Sequence, residues 1–538
     1  MERCRADHAV QGDGAAAEGD QQAAREDGRV SGARGRGEGE VMMRTLLGAV
    51  AAVVLAACAS APVGGDPQAR VESGVIAGRV SEGVAVWRNV PFAAAPVGDL
   101  RWAPPERAPK WDGVRDAGAN GVSCPQTMRA DGKANTGGAY GPTSEDCLQL
   151  NVFAPVGAKS APVMVWIHGG SHRVGAGWFY DGTEFAKDGI VVVSMNYRLG
   201  ALGYLSHPAL SKENGGERSG NYGLMDQIAA LEWVKRNVAQ FGGDPNNVTL
   251  FGESAGGLST MAVLSVPSAR GLYNKAIVQS GGGWYPPQTV KFKEDEGIAI
   301  LKPTGLGPDA TAQQLRALPA DVLGGLAGGY GPYPDGVLMP ETPSQAIARG
   351  RFPDVPLMIG WNSGEDTLMG PSPLPAATLA QIPPIAKMVY PAEAAQGDEA
   401  LARVIFTDSL FGGSARWVAA ETAEGAPSFL YHFSYIAEAY RPTTKSAGHA
   451  TEIPYVWKMW TSPVGDVGEG DKPVAELMHA CWSAFAKTGR ACAQWPAYTK
   501  EGDQLMEFSA DSGVRVGFKK AAFNAQQAIA LPGLKLGE

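Results

Sequence analysis

At residues 248–264 the chain leaves a β-branched run, Val248-Thr249-Leu250-Phe251, and passes Gly252-Glu253-Ser254-Ala255-Gly256. It then enters a helix-compatible stretch from Gly257. A strand that hands over to a helix within five residues needs a sharp turn, and flanking glycines let the backbones come close. Such a strand also needs neighbours. The runs 163–168 and 190–195 are apolar without alternation, the mark of strands buried on both faces of a parallel sheet. Helical spacing of Leu224, Ile228, Leu231, Trp233 and Val234 predicts a helix over 224–238. It should stop at Gly242-Gly243-Asp244-Pro245, a strong turn signal. Further strands are expected at 276–279 and 355–359. This alternation predicts an α/β fold with a mainly parallel sheet. No linker divides it: 283–345 is richer in Pro and Gly but lies between elements of one sheet, so one large domain is expected.

Gly252-x-Ser254-x-Gly256 matches a nucleophile elbow, and its place between strand and helix is what that turn requires. A serine hydroxyl attacks well only when a base takes its proton. Three histidines lie downstream. His432 sits in the strand-like run 429–433 and His479 on the helix-like stretch 475–486, settings that suit a core histidine. His449 lies in the loop Ser446-Ala447-Gly448-His449-Ala450, from which a ring can project toward Ser254. The acid should follow a strand end. Residues 355–360 form that strand, and Glu365 or Asp366 comes next. Two adjacent carboxylates repel, so their pKa values should separate.

The 538 residues are 44 % apolar and 19 % charged, a globular profile. Net charge is −9 and no basic stripe exists, which argues against nucleic acid as a partner. Seven scattered histidines and the cysteines give no metal-ligand spacing, so neither metal nor cofactor is implied. Residues 1–41 have no aromatic and almost no aliphatic bulk. They are expected to be a disordered leader, or to precede a true start at Met42 or Met43. Residues 42–57 read as an export signal: Arg44, then an apolar run from Leu46 that is too short to span a bilayer. Leu55-Ala56-Ala57-Cys58 resembles a lipobox in which Cys58 takes the lipid and anchors the chain to a membrane. Cleavage after Ala59-Ser60-Ala61 is the rival reading. The product, 58–538, is expected to be exported, as a periplasmic or outer-membrane lipoprotein or a secreted protein. Beyond Cys4 and Cys58 an even set of cysteines remains, as an oxidising compartment favours. The sequence-near pairs are Cys124–Cys147 and Cys481–Cys492, the second of which could instead be two reduced, buried thiols.

Longer segments carry a resemblance. They include Ser144-Glu145-Asp146-Cys147-Leu148-x-Leu150-Asn151-Val152, Trp166-Ile167-His168-Gly169-Gly170 and Asn196-Tyr197-Arg198-Leu199. Gly220-Asn221-Tyr222-Gly223-Leu224-x-Asp226-Gln227, Phe241-Gly242-Gly243-Asp244-Pro245, His449-Ala450-x-Glu452-Ile453-Pro454-Tyr455 and Trp495-Pro496-x-Tyr498 follow in order. From about Arg101 to Tyr498 the chain resembles a type B carboxylesterase, of the carboxylesterase and cholinesterase family of α/β-hydrolases. The resemblance implies an α/β-hydrolase fold and a serine hydrolase of small-molecule carboxylic esters. It implies a triad of Ser254, Glu365 and His449. The family usually has Gly after its acid, where this chain has Asp366, so Asp366 stays open as acid or perturber. It implies an oxyanion hole from the backbone N–H groups of Gly170, Ser171 and Ala255, with Ser171 where relatives commonly carry a third Gly. Arg101 and Glu145 match a structural ion pair.

The implied Cys124–Cys147 bridge closes a loop over the gorge. In cholinesterases that loop holds a Trp for the choline cation. Here its aromatic is Tyr140, which makes choline esters poor candidates. Loops 171–180, 283–345 and 366–390 are expected to shape the acyl and alcohol pockets. Trp178, Tyr180, Trp284, Tyr285, Tyr330 and Tyr333 either line that gorge or simply pack. Rival readings are a hydrolase of carbamates, thioesters or amides and, more remotely, a non-catalytic binding protein.

Overall fold

The computed structural model describes residues 65–216, 219–371, 373–460 and 467–536. The leader, the export signal and Cys58 lie outside the described residues. The first strands are β1 (Gln68–Val71), β2 (Gly74–Ala77), β3 (Arg79–Ser81), β4 (Val84–Pro91) and β5 (Val114–Asp116). Then come β6 (Gln149–Pro155), β7 (Ala161–Ile167), β8 (Val191–Met195), β9 (Gly243–Glu253) and β10 (Lys275–Gln279). The last are β11 (Leu357–Asn362), β12 (Ser428–Phe433), β13 (Gln504–Phe508) and β14 (Gly513–Val516). β1, β2 and β5 make a small sheet. The other eleven form one sheet in the order β14-β13-β12-β11-β10-β9-β7-β8-β6-β4-β3. From β13 to β8 every neighbouring pair is parallel, and both margins are antiparallel.

The central strands lack alternation because both faces are covered. Along β7, Val163, Val165 and Ile167 enter a core shared with Leu224, Trp233 and Val263 of helices Tyr222–Asn237 and Ala255–Ser265. Met164 and Trp166 point the other way, into a core with Trp482 and Phe485 of helix Lys472–Thr488. Side chains of one strand alternate between faces, and here each face has its own apolar partner. Residues 64–538 form one compact unit, as the absence of a dividing linker implies.

The strand expected at 248–251 starts earlier, at Gly243, which pairs with Ala161 before the ladder slips and resumes at Val248 opposite Val163. The turn itself falls on Gly242, whose φ of 80° suits glycine. Asp244-Pro245 is absorbed into the irregular ladder, where a missing N–H is tolerated. Both cysteine pairs are bonded, Cys124–Cys147 and Cys481–Cys492, so the second is not a pair of free thiols. Among the described residues no helix is long and apolar enough to cross a membrane.

Candidate active site

β9 ends at Glu253 and helix Ala255–Ser265 begins one residue later. Ser254 bridges them at φ 55° and ψ −122°, a conformation that costs a non-glycine residue about 1–3 kcal/mol. The surroundings hold it there. Ser254 N–H donates to the Gln279 carbonyl at 2.9 Å, pinning the turn to β10. A Cβ on Gly256 would run into the Ile167 carbonyl of β7, so the motif's second glycine is a packing requirement. Gly169 packs on the other side: a Cβ there would lie 3.1 Å from Cβ of Ser254.

His449 meets the acid. Its Nδ1 hydrogen-bonds to Oε2 of Glu365, which is fully buried. Oε1 of Glu365 accepts from Ser280 Oγ at 2.6 Å and Asn362 N–H at 2.7 Å. Asp366 turns away, with Arg403 Nη1 3.4 Å from its Oδ2. The structure therefore brings Glu365, not Asp366, against the histidine. The His449 loop is tied to the strand ends: Asn362 Nδ2 donates to the Gly448 carbonyl at 2.9 Å, and His449 N–H to Thr367 Oγ1 at 2.9 Å. The other two downstream histidines pack elsewhere. His432 is buried between Trp361 and Phe518, and His479 stacks on Phe185 while bonding the Val456 carbonyl at 2.7 Å.

The electrostatics involve two further acids that sequence reasoning left without a role. Glu253 Oε1 lies 3.2 Å from Nε2 of His449. Burial pushes the Glu253 carboxyl well above the carboxylate range, against the pull of His449. Burial also pushes the His449 imidazole down, but Glu253 and then Glu365 override it and carry it up to about 10. At this distance the two titrations are coupled. A proton on Glu253 removes the charge that lifts His449. Glu452, raised by burial, accepts from Asn362 Nδ2 at 2.6 Å and Gln279 Nε2 at 3.1 Å, and so braces the ends of β10 and β11.

These groups open on a cavity of about 550 Å³ lined by Gly169, Gly170, Ser171, Glu253, Ser254 and His449. The backbone here runs through positive φ at Gly170 (99°), Ser171 (56°) and His172 (54°). Ser171 thus holds a conformation that a glycine would adopt freely. His172 anchors the turn through Ser259 Oγ at 2.9 Å and the Tyr330 carbonyl at 3.3 Å. Among the described residues the N–H groups of Gly170, Ser171 and Ala255 donate to nothing else.

The rest of the lining follows the sequence expectation for loops 171–180 and 366–390 and departs from it for 283–345. Tyr180 takes part, and Thr367 and Leu368 represent the 366–390 loop. The segment 283–345 does not. Tyr285, Tyr330 and Tyr333 line a separate cavity of about 270 Å³ with Leu258 and Ala262, on another side of the helix that follows Ser254. Trp284 packs on the core, and Trp178 sits edge-on to Tyr140 with its Nε1–H on Ser123 Oγ at 3.1 Å. A further wall comes from inside the Cys124–Cys147 loop, as its expected place over the gorge implies, and includes Met128, Arg129, Gly137 and Gly138, with Arg173 and Phe179 of loop 171–180 beside it. Arg101 and Glu145 pair away from the cavity, Nε to Oε1 at 2.7 Å. Among the described residues no group of His, Cys, Asp and Glu could hold a metal ion.

A parallel sheet covered on both faces, with a strained serine at a strand–helix turn, defines an α/β-hydrolase. The family model described as "Carboxylesterase family" matches residues 65–382 and 386–526. The chain belongs to the carboxylesterase family and is a carboxylic ester hydrolase. It is 34 % identical to fumonisin B1 esterase of Sphingopyxis macrogoltabida, over 89 % of this chain and 92 % of that protein. It is 35 % identical to para-nitrobenzyl esterase of Bacillus subtilis (strain 168), over 80 % and 92 %. Among solved structures, a Geobacillus stearothermophilus carboxylesterase superimposes with a TM-score of 0.73 at 34 % identity, covering 85 % of this chain and 99 % of that one.

Proposed function

We propose that this hydrolase cleaves small-molecule carboxylic esters through an acyl-enzyme on Ser254. The reading rests on one observation: His449, bonded to the buried Glu365, and the strained Ser254 line the same cavity. His449 Nε2 takes the hydroxyl proton as Ser254 attacks the carbonyl, then passes it to the departing alcohol. Glu365 holds the ring in one tautomer and stabilises the imidazolium. The free N–H groups of Gly170, Ser171 and Ala255 receive the negative oxygen of the tetrahedral intermediate. Water, deprotonated by His449, releases the acid and restores the serine. Two disulfides support export to an oxidising compartment. Metabolic labelling with a fatty acid, lost in Cys58→Ser, would check the lipid anchor.

The test is hydrolysis of 4-nitrophenyl esters from acetate to laurate by the parent and by Ser254→Ala. The variant should lose at least about 10⁴-fold in kcat, together with labelling by a fluorophosphonate. Equal rates in the two proteins would sink the assignment.

A further inference from the structure

The charges that line the reaction cavity are uneven. Glu253 is buried and its carboxyl is driven toward the neutral form by that burial. Arg129 already carries its own counter-ion, with Nε 2.9 Å from Asp131 Oδ1. Arg173 also lines the cavity, is exposed, and forms no ion pair or side-chain hydrogen bond among the described residues. Among the described residues it is the uncompensated cation of the lining, in a chain whose net charge is −9.

Its placement is built in. Arg173 follows Ser171 by two residues, and its N–H closes a tight turn onto the Gly170 carbonyl at 2.9 Å, with Val174 N–H on the same carbonyl at 3.0 Å. The base of the side chain is therefore fixed to the loop that holds the reacting carbonyl. A guanidinium offers a planar fork that suits a carboxylate and gives a neutral alkyl chain nothing comparable.

We propose that the cavity selects esters bearing a carboxylate remote from the scissile carbonyl, and that Arg173 receives it. The inference rests on the Ser254 esterase reading and names the substrate class of that same site. Arg173 is a specificity determinant that touches the substrate's far end and takes no part in bond cleavage. The carboxylate can sit on either side of the ester, so both sides are tested.

The experiment compares kcat/KM within two matched pairs. On the acyl side, mono-4-nitrophenyl glutarate is set against 4-nitrophenyl pentanoate. On the alcohol side, 4-acetoxybenzoate is set against 4-acetoxybenzamide. In at least one pair the carboxylate member should be favoured by about tenfold or more at low salt. The ratio should fall as ionic strength rises. Arg173→Gln should bring it near one, and Arg173→Lys should keep part of it. The ratio cancels any general loss of activity, and a thermal melt checks that the exposed substitution leaves the fold intact. Equal or better hydrolysis of the neutral member in both pairs, or a preference that survives Arg173→Gln, would overturn the inference and leave the esterase reading standing. Turnover of none of the four esters would sink the esterase reading itself, and the inference with it.

Discussion

Glu253→Gln removes the carboxyl that faces Nε2 of His449 while keeping its volume. The separation is 3.2 Å. At an effective dielectric of about 20, two unit charges that close interact by roughly 5 kcal/mol, or about 4 pKa units. That is a ceiling, reached only if Glu253 is fully ionised. Burial pushes Glu253 well up and so disfavours its charged form, which makes the effect smaller than this ceiling. The sign follows from the base. Burial lowers the His449 pKa, Glu253 and Glu365 raise it, and the net is a shift up to about 10. In the mechanism proposed above only neutral imidazole accepts the serine proton, so kcat/KM rises with pH as His449 loses its proton. Removing Glu253's charge lowers it, and the acid limb of the profile should move to lower pH by about one unit or more. Glu365 still orients the ring, so the plateau should fall less than about tenfold. The assay is kcat/KM for a 4-nitrophenyl ester from pH 5 to 10 at constant ionic strength, with buffer blanks. A limb that stays put, or moves to higher pH, would refute the account in which Glu253 raises His449.

Asp366→Asn should change kcat/KM by less than about twofold, because Asp366 faces Arg403 and not His449; steady-state kinetics decide it. Gly256→Ala places a methyl against the Ile167 carbonyl of β7, which cannot step aside. It should cost about 2 kcal/mol or more and most of the activity, read by thermal melting and by hydrolysis rate. Cys124→Ser with Cys147→Ser should cost about 2–4 kcal/mol in a denaturant titration. Because that loop walls the cavity, KM should rise more than kcat falls.

Local chemistry was legible and long-range side-chain pairing was not. The strand–serine–helix turn spans nine residues or so, and every requirement on it is local, so Ser254 stands out of the sequence alone. His449 was legible by elimination, since its rivals fall in a strand and a helix. The residues alone did not separate Glu365 from Asp366, and the choice of Glu365 came from the family resemblance: neighbours on one 3-10 turn point in different directions, and the Ser280, Asn362 and Arg403 partners decide which faces inward. The role of Glu253 depends on a residue almost two hundred positions away, which no spacing encodes. The segment 283–345, expected to shape the pockets, lies elsewhere for a related reason. An aromatic-rich loop reads the same whichever side of the helix Ala255–Ser265 it packs against, and the chain takes Tyr285, Tyr330 and Tyr333 to the side with Leu258 and Ala262.

The three open N–H groups at Gly170, Ser171 and Ala255 belong to the main chain, whereas the cavity's walls belong to side chains, one of them only two positions further on at Arg173. Amide groups survive any replacement the backbone angles tolerate. Mutational drift at positions 171 and 173 can therefore redraw what the enzyme grips while the means of cutting passes unaltered from ancestor to descendant. On that account a laboratory lineage selected for new esters should collect its changes along this turn and the disulfide loop facing it, and leave the neighbours of Ser254 alone.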